Sequence, residues 1–348
     1  MSNPLEKIIK EEIRLAGPMS LEKYWSLCLF HPQYGYYTSR NPLGKNGDFI
    51  TAPEVSQMFG EMLAMWFIEV WNRLGQPPKF YMVEGGPGRG TLMADMVRVF
   101  SKMPEFINAA EFVLIEVSPT LRELQLNTIR GVNVRHVSTV EQLPEDHPIF
   151  FVANELLDAM PIRQLIKTPQ GWLEKHVGLN AEDRLVFGLV PVSNIHAAGE
   201  DGEILELSHS RDIWAHQLYN KMLKTGGAGL FIDYGADVPN MRGDTFQAVK
   251  AHEYTDPLAE PGVADLTSHV DFARLNHIVH GKVSSQGAFL QRLGIEMRCS
   301  RLAAGKEDSV QAELQGQLER LIGDDQMGKL FRVCAFSNDP KLDLPGFE

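Results

Sequence analysis

The chain has 348 residues and a formal net charge of −12, with 44% hydrophobic and 22% charged residues. This composition is typical of a globular protein with one large domain or two. The negative charge argues against general binding to nucleic acid and favours a basic protein or peptide partner. The three widely spaced cysteines argue against a disulfide framework or a zinc site and favour a reducing compartment. No apolar run is long enough for a membrane span, so no membrane insertion is expected.

Residues 1 to about 75 are predicted to be mainly helical, with an amphipathic core helix over 58–74. The start of the chain carries acids and resembles neither a signal peptide nor an Arg-rich transit peptide. We therefore expect a cytoplasmic protein, or one of the mitochondrial matrix only if a transit peptide has been removed. Asp48 and Thr51 lie in a loop that is either ordinary turn structure or a lid that closes over a bound ligand.

Residues 84–91 form the most informative motif, an acid followed by three alternating glycines. A buried-strand pattern precedes the motif and helical spacing follows it, so the backbone can approach a ligand closely where the helix begins. A P-loop requires Lys, and the dinucleotide fingerprint requires Gly, at the position of Thr91. The remaining pattern resembles motif I of S-adenosylmethionine-dependent methyltransferases, and a glycine turn without a ligand is the alternative. The cofactor-binding residues that this resemblance implies are Glu84, Gly86, Gly88, Gly90 and Thr91.

A second acid, Glu116, ends the next strand-like run, residues 111–116. An acid at this place in a doubly wound sheet can accept hydrogen bonds from both ribose hydroxyls of a cofactor. A solvated glutamate at a strand end is the alternative. Glu116 is farther from Glu84 than the spacing of about 20 residues in dinucleotide-binding motifs, and this distance fits a longer first helix. From about 78 to 162, strand and helix patterns alternate, which predicts a parallel, doubly wound α/β sheet.

Residues 163–210 interrupt this alternation with extended runs, which we interpret as an inserted β-hairpin meander. A helix over 213–224 and a strand over 229–233 then resume the sheet. A loop is predicted through 236–268, followed by helices around 270–279, 285–293 and 308–322, and by a strand over 330–336 at an antiparallel sheet edge. The predicted domains are a helical N-terminal region 1–75 with the lid loop, a core of 76–162 and 211–348, and an inserted β-rich substrate region 163–210.

Five motifs occur in order along nearly the whole chain, and the set is more specific than the glycine motif alone. They cover residues 47–56, 84–91, 154–162, 231–235 and 264–272. The set resembles the MidA family of S-adenosylmethionine-dependent methyltransferases, which includes bacterial members and the mitochondrial complex I assembly arginine methyltransferase. The resemblance implies a seven-stranded Rossmann-like methyltransferase sheet with helical N- and C-terminal additions. It also implies S-adenosyl-L-methionine as cofactor, symmetric dimethylation of an arginine in a complex I subunit, and a lid in which Asp48 and Thr51 bind the cofactor.

Asn154 and Glu155 follow an apolar strand, at the sheet edge where ligands bind in open α/β folds. Glu155 and Asp158 are three residues apart, so on a first helical turn both carboxylates point toward one cleft. Carboxylates there suit a guanidinium acceptor, because each accepts two N–H donors and localises positive charge. The alternative is that Asn154 caps a helix whose first turn carries ordinary acids.

A second polar cluster contains Asp265, Thr267, His269 and Asp271. His269, which lies between two acids, can serve as a base or as an orienting residue. The alternative is that Thr267 or Ser268 caps a helix beginning near residue 270, with His269 on the surface of its first turn.

The candidate catalytic residues are thus Asn154, Glu155, Asp158, Asp265 and His269. The favoured function is protein arginine N-methylation of a respiratory complex I subunit or a similar client. The alternative is a non-catalytic assembly factor that binds the cofactor only for structure and holds a basic client. A protein substrate is expected, with the insertion as one wall of its groove. No metal and no nucleic acid are expected, and a homodimer is left open.

Overall fold

The computed structural model describes residues 3–39, 51–193, 195–239 and 241–347. Asp48, with most of the predicted lid loop, lies outside the described residues. The chain forms two compact units. The first comprises Met1–Phe49, Leu157–Ile213 and Pro239–His269, and the second comprises Ile50–Leu156, Trp214–Val238 and Val270–Glu348.

The described residues fold into both α-helices and β-strands. The α-helices are α1 Pro4–Ala16, α2 Leu21–Phe30, α3 Tyr36–Ser39, α4 Ala52–Val55, α5 Gln57–Arg73, α6 Thr91–Phe100, α7 Pro104–Ala109, α8 Pro119–Thr128, α9 His209–Thr225, α10 Phe272–Val279, α11 Gln286–Arg292, α12 Ile295–Ala303, α13 Asp308–Ile322 and α14 Met327–Leu330. The strands are β1 Met19–Ser20, β2 Phe80–Gly85, β3 Ala110–Ile115, β4 Val134–Val137, β5 Ile149–Asn154, β6 Arg163–Thr168, β7 Gly171–Leu179, β8 Leu185–Pro191, β9 Ile204–Leu207, β10 Gly227–Ala236, β11 Gln247–Lys250, β12 Glu253–Thr255, β13 Asp265–Thr267, β14 Val270–Asp271, β15 Lys282–Ser285 and β16 Phe331–Ser337.

The second unit is built on a sheet with the strand order β15-β16-β10-β5-β2-β3-β4. The neighbours from β10 to β4 are all parallel, which confirms the predicted doubly wound α/β fold. β16 is antiparallel to β10, as predicted. It is not the sheet edge, because β15 pairs with its other side, and the short β14 also joins β10. With four residues, β15 is too short to give a clear strand pattern in the sequence.

The strands of this sheet are deeply buried. All six residues of β2 and nine of the ten residues of β10 are buried, as expected for parallel strands covered on both faces. The predicted core helix is confirmed as α5, whose Phe59, Trp66 and Phe67 side chains are almost completely buried. The apolar core therefore holds the carboxyl ends of the parallel strands in fixed positions.

The first unit contains two smaller sheets. β6, β7 and β8 form the antiparallel meander predicted for the insertion, and β9 pairs with β6. β1, from the N-terminal region, pairs with β7. The compact units therefore differ from the predicted domains, because the first unit combines the insertion with N-terminal residues and with residues 239–269.

The predicted loop through 236–268 is wrong at three places. β11 pairs antiparallel with both β12 and β13, so this segment contains a three-stranded sheet. Each strand has only three or four residues. Strands this short do not show a recognisable alternation of apolar and polar residues.

Candidate active site

The strand order predicts a ligand-binding crevice at one end of the large sheet. β2 lies between β3 and β5, so the chain leaves β2 toward one side and returns to pair with it from the other. Ligands of open α/β sheets bind at such a switch point, outside the carboxyl ends of the strands. In the parallel pairing of β2 with β5, Gly85 is the register partner of Ala153. The glycine turn after β2 and the polar residues after β5 therefore share this edge.

The glycine turn adopts the backbone conformation that its residues suggest. Gly86, Gly88 and Gly90 have φ angles of 62°, 52° and 82°, in the left-handed region that side chains other than glycine disfavour. A Cβ on Gly86 would lie 2.8 Å from Leu156 Cδ1. Gly90 caps α6, which begins at Thr91. The first backbone N–H groups of α6 lack partners within the helix; that of Met93 donates to Glu84, and those before it can face a ligand.

Glu84 lies at the end of β2 with only 3% of its surface exposed. Burial raises the pKa of its carboxyl to about 8, and a hydrogen bond from the backbone N–H of Met93 opposes this shift. Oε2 is buried and has no hydrogen-bond partner in the described part of the chain. The acid therefore offers an unpartnered polar atom directly beside the glycine turn.

Glu116 follows β3 directly and is buried. Its Oε1 accepts a hydrogen bond from the Ser118 backbone N–H at 2.8 Å, and its Oε2 accepts one from Gln125 Nε2 at 3.1 Å. Burial raises the pKa of the carboxyl, whereas these donors lower it. The carboxylate is thus held in one orientation at the strand end, where ribose hydroxyls can be bound.

These residues fit S-adenosyl-L-methionine. The left-handed glycines would let the backbone approach the cofactor, and Glu116 would hold its ribose; both roles stay predictions. Glu84 Oε2 and Asn154 Oδ1, at the ends of neighbouring strands, are buried polar atoms without a partner among the described residues. Thr51, the remaining candidate, precedes α4 and makes no side-chain capping bond; its predicted role in cofactor binding stays a prediction.

Glu155 is the first residue after β5 and has a φ angle of 52°. Its backbone N–H donates to Ile232 O at 2.9 Å, and its Oε1 accepts hydrogen bonds from Asn154 Nδ2 at 2.9 Å and from Ala52 N at 3.4 Å. A left-handed conformation in a residue other than glycine is strained and often marks functional sites. The carboxylate is therefore fixed by its neighbours at the same sheet edge as the glycine turn.

The predicted helical turn from Glu155 to Asp158 is wrong. Glu155 would be the first residue inside that helix, where a right-handed backbone is needed, and residues 155–162 contain bends and turns but no helix. Asn154 is the last residue of β5 and not a helix cap. Glu155 belongs to the second unit and Asp158 to the first.

In the first unit, Asp158 and Asp265 lie near the same tyrosine. Tyr37 Oη donates a hydrogen bond to Asp265 Oδ2 at 2.9 Å. Burial, followed by the charges of Asp265 and Asp158, raises the pKa of the Tyr37 hydroxyl well above its usual range. The tyrosine therefore remains a neutral donor to the buried acid. The sequence offers Tyr37 either as lining of the substrate mouth or as aromatic packing under a loop, and it does not indicate the pairing with Asp265, which is 228 residues away.

His269 is half-buried beyond β13. Burial lowers the pKa of its imidazole, the charge of Glu206 raises it, and Arg211 lowers it. The predicted helix cap at Thr267 or Ser268 is wrong, since Asp271 Oδ1 accepts the Arg274 backbone N–H at 2.9 Å and caps α10. Thr267 is instead part of β13.

Arg211, in the first turn of α9, is a residue that sequence reasoning missed. Its buried guanidinium donates to Leu157 O at 2.6 Å, Asp158 O at 3.1 Å, His269 O at 2.8 Å and Ser268 Oγ at 2.7 Å. It therefore joins the two segments that carry Asp158 and His269. The contacts span more than 50 residues, so no local pattern indicates them.

The described ranges contain no group of three His, Cys, Asp or Glu side chains placed to hold a metal ion. In the same ranges, no helix is both long and apolar enough to cross a membrane.

Comparison with known proteins identifies relatives along most of the chain. A family model for S-adenosyl-L-methionine-dependent methyltransferases matches residues 62–289. "Protein arginine methyltransferase NDUFAF7, mitochondrial" from Mus musculus is 34% identical, over 97% of this chain and 85% of the relative, and its Homo sapiens counterpart is 33% identical, over 97% and 84%.

Two crystal structures from Burkholderia thailandensis have closely similar folds. One, bound to S-adenosyl-homocysteine, has a TM-score of 0.84 at 25% identity and covers 98% of this chain and 93% of its own. The other, a native structure, has a TM-score of 0.83 at 26% identity, with 99% and 94% covered. These findings confirm the predicted resemblance and the predicted fold. The chain belongs to the family of S-adenosyl-L-methionine-dependent methyltransferases.

Proposed function

We propose that this protein is a protein arginine N-methyltransferase. The observation that carries the proposal is the carboxylate of Glu155, held by Asn154 and Ala52 at the sheet edge that also carries the glycine turn. A carboxylate at this position suits a guanidinium, whose planar N–H donors match two carboxylate oxygens. The names of the relatives, which describe protein arginine methyltransferases, support this choice of acceptor.

The chemistry divides between the cofactor and the chain. S-adenosyl-L-methionine supplies a methyl group that its sulfonium already activates. The residues of the chain therefore mainly have to position the acceptor nitrogen in line with that methyl group. Glu155 orients the guanidinium and draws its positive charge away from the reacting nitrogen. The methylated nitrogen then loses one proton, for which Glu155 is a suitable acceptor.

The remaining acceptor-site candidates lie in the first unit. Asp158 and Asp265 face the Tyr37 hydroxyl, and Arg211 fixes the backbone of Asp158 and His269. We propose that these residues of the first unit bind the protein client. Substituting each of these residues separately and measuring methyl transfer to the client tests these roles.

The substrate is proposed to be a protein with basic character, since the enzyme carries a net charge of −12. A respiratory complex I subunit is the client that the family resemblance implies. The two mammalian relatives are named as mitochondrial proteins. For this chain, the compartment and a homodimeric state stay predictions.

Mass spectrometry of cellular proteins tests the proposal. Cells that lack this protein, cells that express it and cells that express Glu155→Gln are compared for methylated arginine peptides. We expect one or a few sites that carry methylarginine only with the wild-type protein. If wild-type protein binds the cofactor but neither forms methylarginine nor releases S-adenosyl-homocysteine with any client, the alternative of a non-catalytic assembly factor replaces this proposal.

A further inference from the structure

Gln125 on α8 links the two parts of the cofactor site. Its side chain is completely buried. Nε2 donates one hydrogen bond to Gly88 O at 2.7 Å and a second to Glu116 Oε2 at 3.1 Å. A single amide group therefore holds both the central glycine of the turn and the acid predicted to bind the ribose.

The orientation of this amide is fixed by its surroundings. Both Gly88 O and Glu116 Oε2 are acceptors, so the NH₂ group has to face them, since a flipped amide would place three oxygens together. On the other side, Gln125 Oε1 lies 2.9 Å from His136 Nε2. His136 must then carry its proton on Nε2 and donate it. The hydrogen bond from the imidazole thus fixes the amide in the orientation in which its NH₂ group donates to Glu116.

Arg122 is a charged group beside Glu116: burial raises the pKa of this carboxyl, and the charge of Arg122 lowers it. Arg122 donates from Nε to the backbone oxygen of Glu116 at 2.8 Å, and from Nη2 to Ser138 Oγ at 2.9 Å. Burial and the charge of Arg122 lower the pKa of His136. The imidazole is therefore disfavoured as a cation, and Gln125 and Ser118 donate directly to the Glu116 carboxylate. Of these two, only Gln125 uses a side chain and can be removed by substitution.

We propose that Gln125, oriented by His136, is a positioning residue for the cofactor, which acts by fixing the Gly88 carbonyl and by donating to the Glu116 carboxylate so that this group is held in one orientation. Gln125 acts through these two residues and does not need to touch the cofactor itself. The inference depends on cofactor binding and not on the identity of the methyl acceptor. Its failure is therefore distinguishable from failure of the proposed arginine methylation.

The test compares Gln125→Leu with wild type in two measurements. Calorimetric titration with S-adenosyl-homocysteine over a range of pH gives the affinity, and ¹³C NMR of labelled glutamate in the ligand-free protein follows the ionisation of Glu116. We expect affinity at neutral pH to fall at least about tenfold, which corresponds to about 1.4 kcal/mol. Loss of a donor to the charged form raises the pKa of Glu116. On acidification, the variant should therefore lose affinity at a higher pH than wild type.

Two further variants make the result decisive. Asn127→Leu, at an exposed position on the same helix, is the matched control and should bind as wild type does. His136→Phe, at a half-buried position, removes the hydrogen bond that orients the Gln125 amide. This variant is measured instead of Gln125→Leu if Gln125→Leu does not fold. It should also move the pH at which affinity is lost upward. The proposal would be overturned if Gln125→Leu bound the cofactor product within twofold of wild type. It would also be overturned if the variant bound more weakly while the ionisation of Glu116 stayed unchanged, because Gln125 would then have a purely structural role.

Discussion

Asn154 Nδ2 donates a hydrogen bond to Glu155 Oε1 at 2.9 Å, directly at the point where the backbone leaves β5 with a left-handed Glu155. A left-handed conformation costs about 1–2 kcal/mol for a residue with a side chain. The second bond to Oε1, from Ala52 N, stabilises the same orientation of the carboxylate. Strain that neighbouring groups maintain at a strand end is typical of catalytic residues.

Replacing Glu155 by Gln tests whether its charge acts on the methyl acceptor. The amide oxygen can keep the bonds from Asn154 and Ala52, so the fold and cofactor affinity should change little. Loss of a charge-assisted contact to a guanidinium costs about 1.5–3 kcal/mol, so methyl transfer should fall about ten- to a hundredfold. Steady-state transfer assays with a client peptide measure this. Glu111→Gln, an exposed position at the start of β3, is the control, and equal turnover in both variants would contradict the role of Glu155.

Replacing Gly88 by Val tests the cofactor turn. The φ angle of 52° is unfavourable for a branched side chain, and the new atoms would stand where the backbone approaches the ligand. Calorimetry should detect no binding of S-adenosyl-L-methionine, while circular dichroism shows a folded protein. Gly131→Val is the matched control, because its φ angle of 84° imposes similar backbone strain in a loop with open space around the Cβ. Retained binding in Gly88→Val would refute the assignment of the turn.

Parts of this site could be predicted from sequence because they follow local patterns. The glycine turn and Glu116 each follow an apolar strand, so their residue types and spacing indicate the local structure, and their roles in cofactor binding stay predictions. The turn after β5 could not be predicted, because nothing local indicates that Glu155 is left-handed. The contacts of Tyr37 and Arg211 could not be predicted for a different reason. Their partners are far along the chain, and only tertiary packing brings them together.

Glu84 should make stability depend on pH. Its pKa in the native protein is about 8, whereas an unfolded glutamate titrates near about 4.3. Between these values the native state holds a proton that the unfolded state lacks, so the free energy of unfolding falls as pH rises. The full slope is about 1.4 kcal/mol per pH unit. Urea unfolding of the ligand-free protein between about pH 5 and 8 should show a flatter profile for Glu84→Gln, and identical profiles would show that burial does not shift this acid.

Arg211 should affect the acceptor more than the cofactor. Lys at this position keeps the charge but cannot reach the carbonyls of Leu157, Asp158 and His269 together, because it lacks the planar fork of donors. We expect Arg211→Lys to lose about 1–3 kcal/mol of stability and to raise KM for the client, with cofactor affinity unchanged. Arg184→Lys, an exposed position, is the control. Unchanged kinetics after Arg211→Lys would limit Arg211 to a structural role.

The inserted region should bind the protein client through β8. This strand pairs with β7 and with no other strand in the described part of the chain, and Phe187 and Leu189 are 38% and 49% exposed. They are two residues apart and so share one face of the strand. Replacing both by Thr removes the apolar surface but keeps strand propensity.

Transfer to the full-length client should then weaken, whereas cofactor binding and transfer to a short peptide should not change. Because the enzyme is acidic, raising the salt concentration should also weaken binding of a basic client. Tyr254→Thr provides the control, since this aromatic side chain is 79% exposed on β12, in the other sheet of the same unit. Titration of labelled client into each variant gives the affinities. If the double variant binds the client as tightly as the control does, the insertion has no role in substrate recognition at this face, and its sheet serves only to complete the first unit.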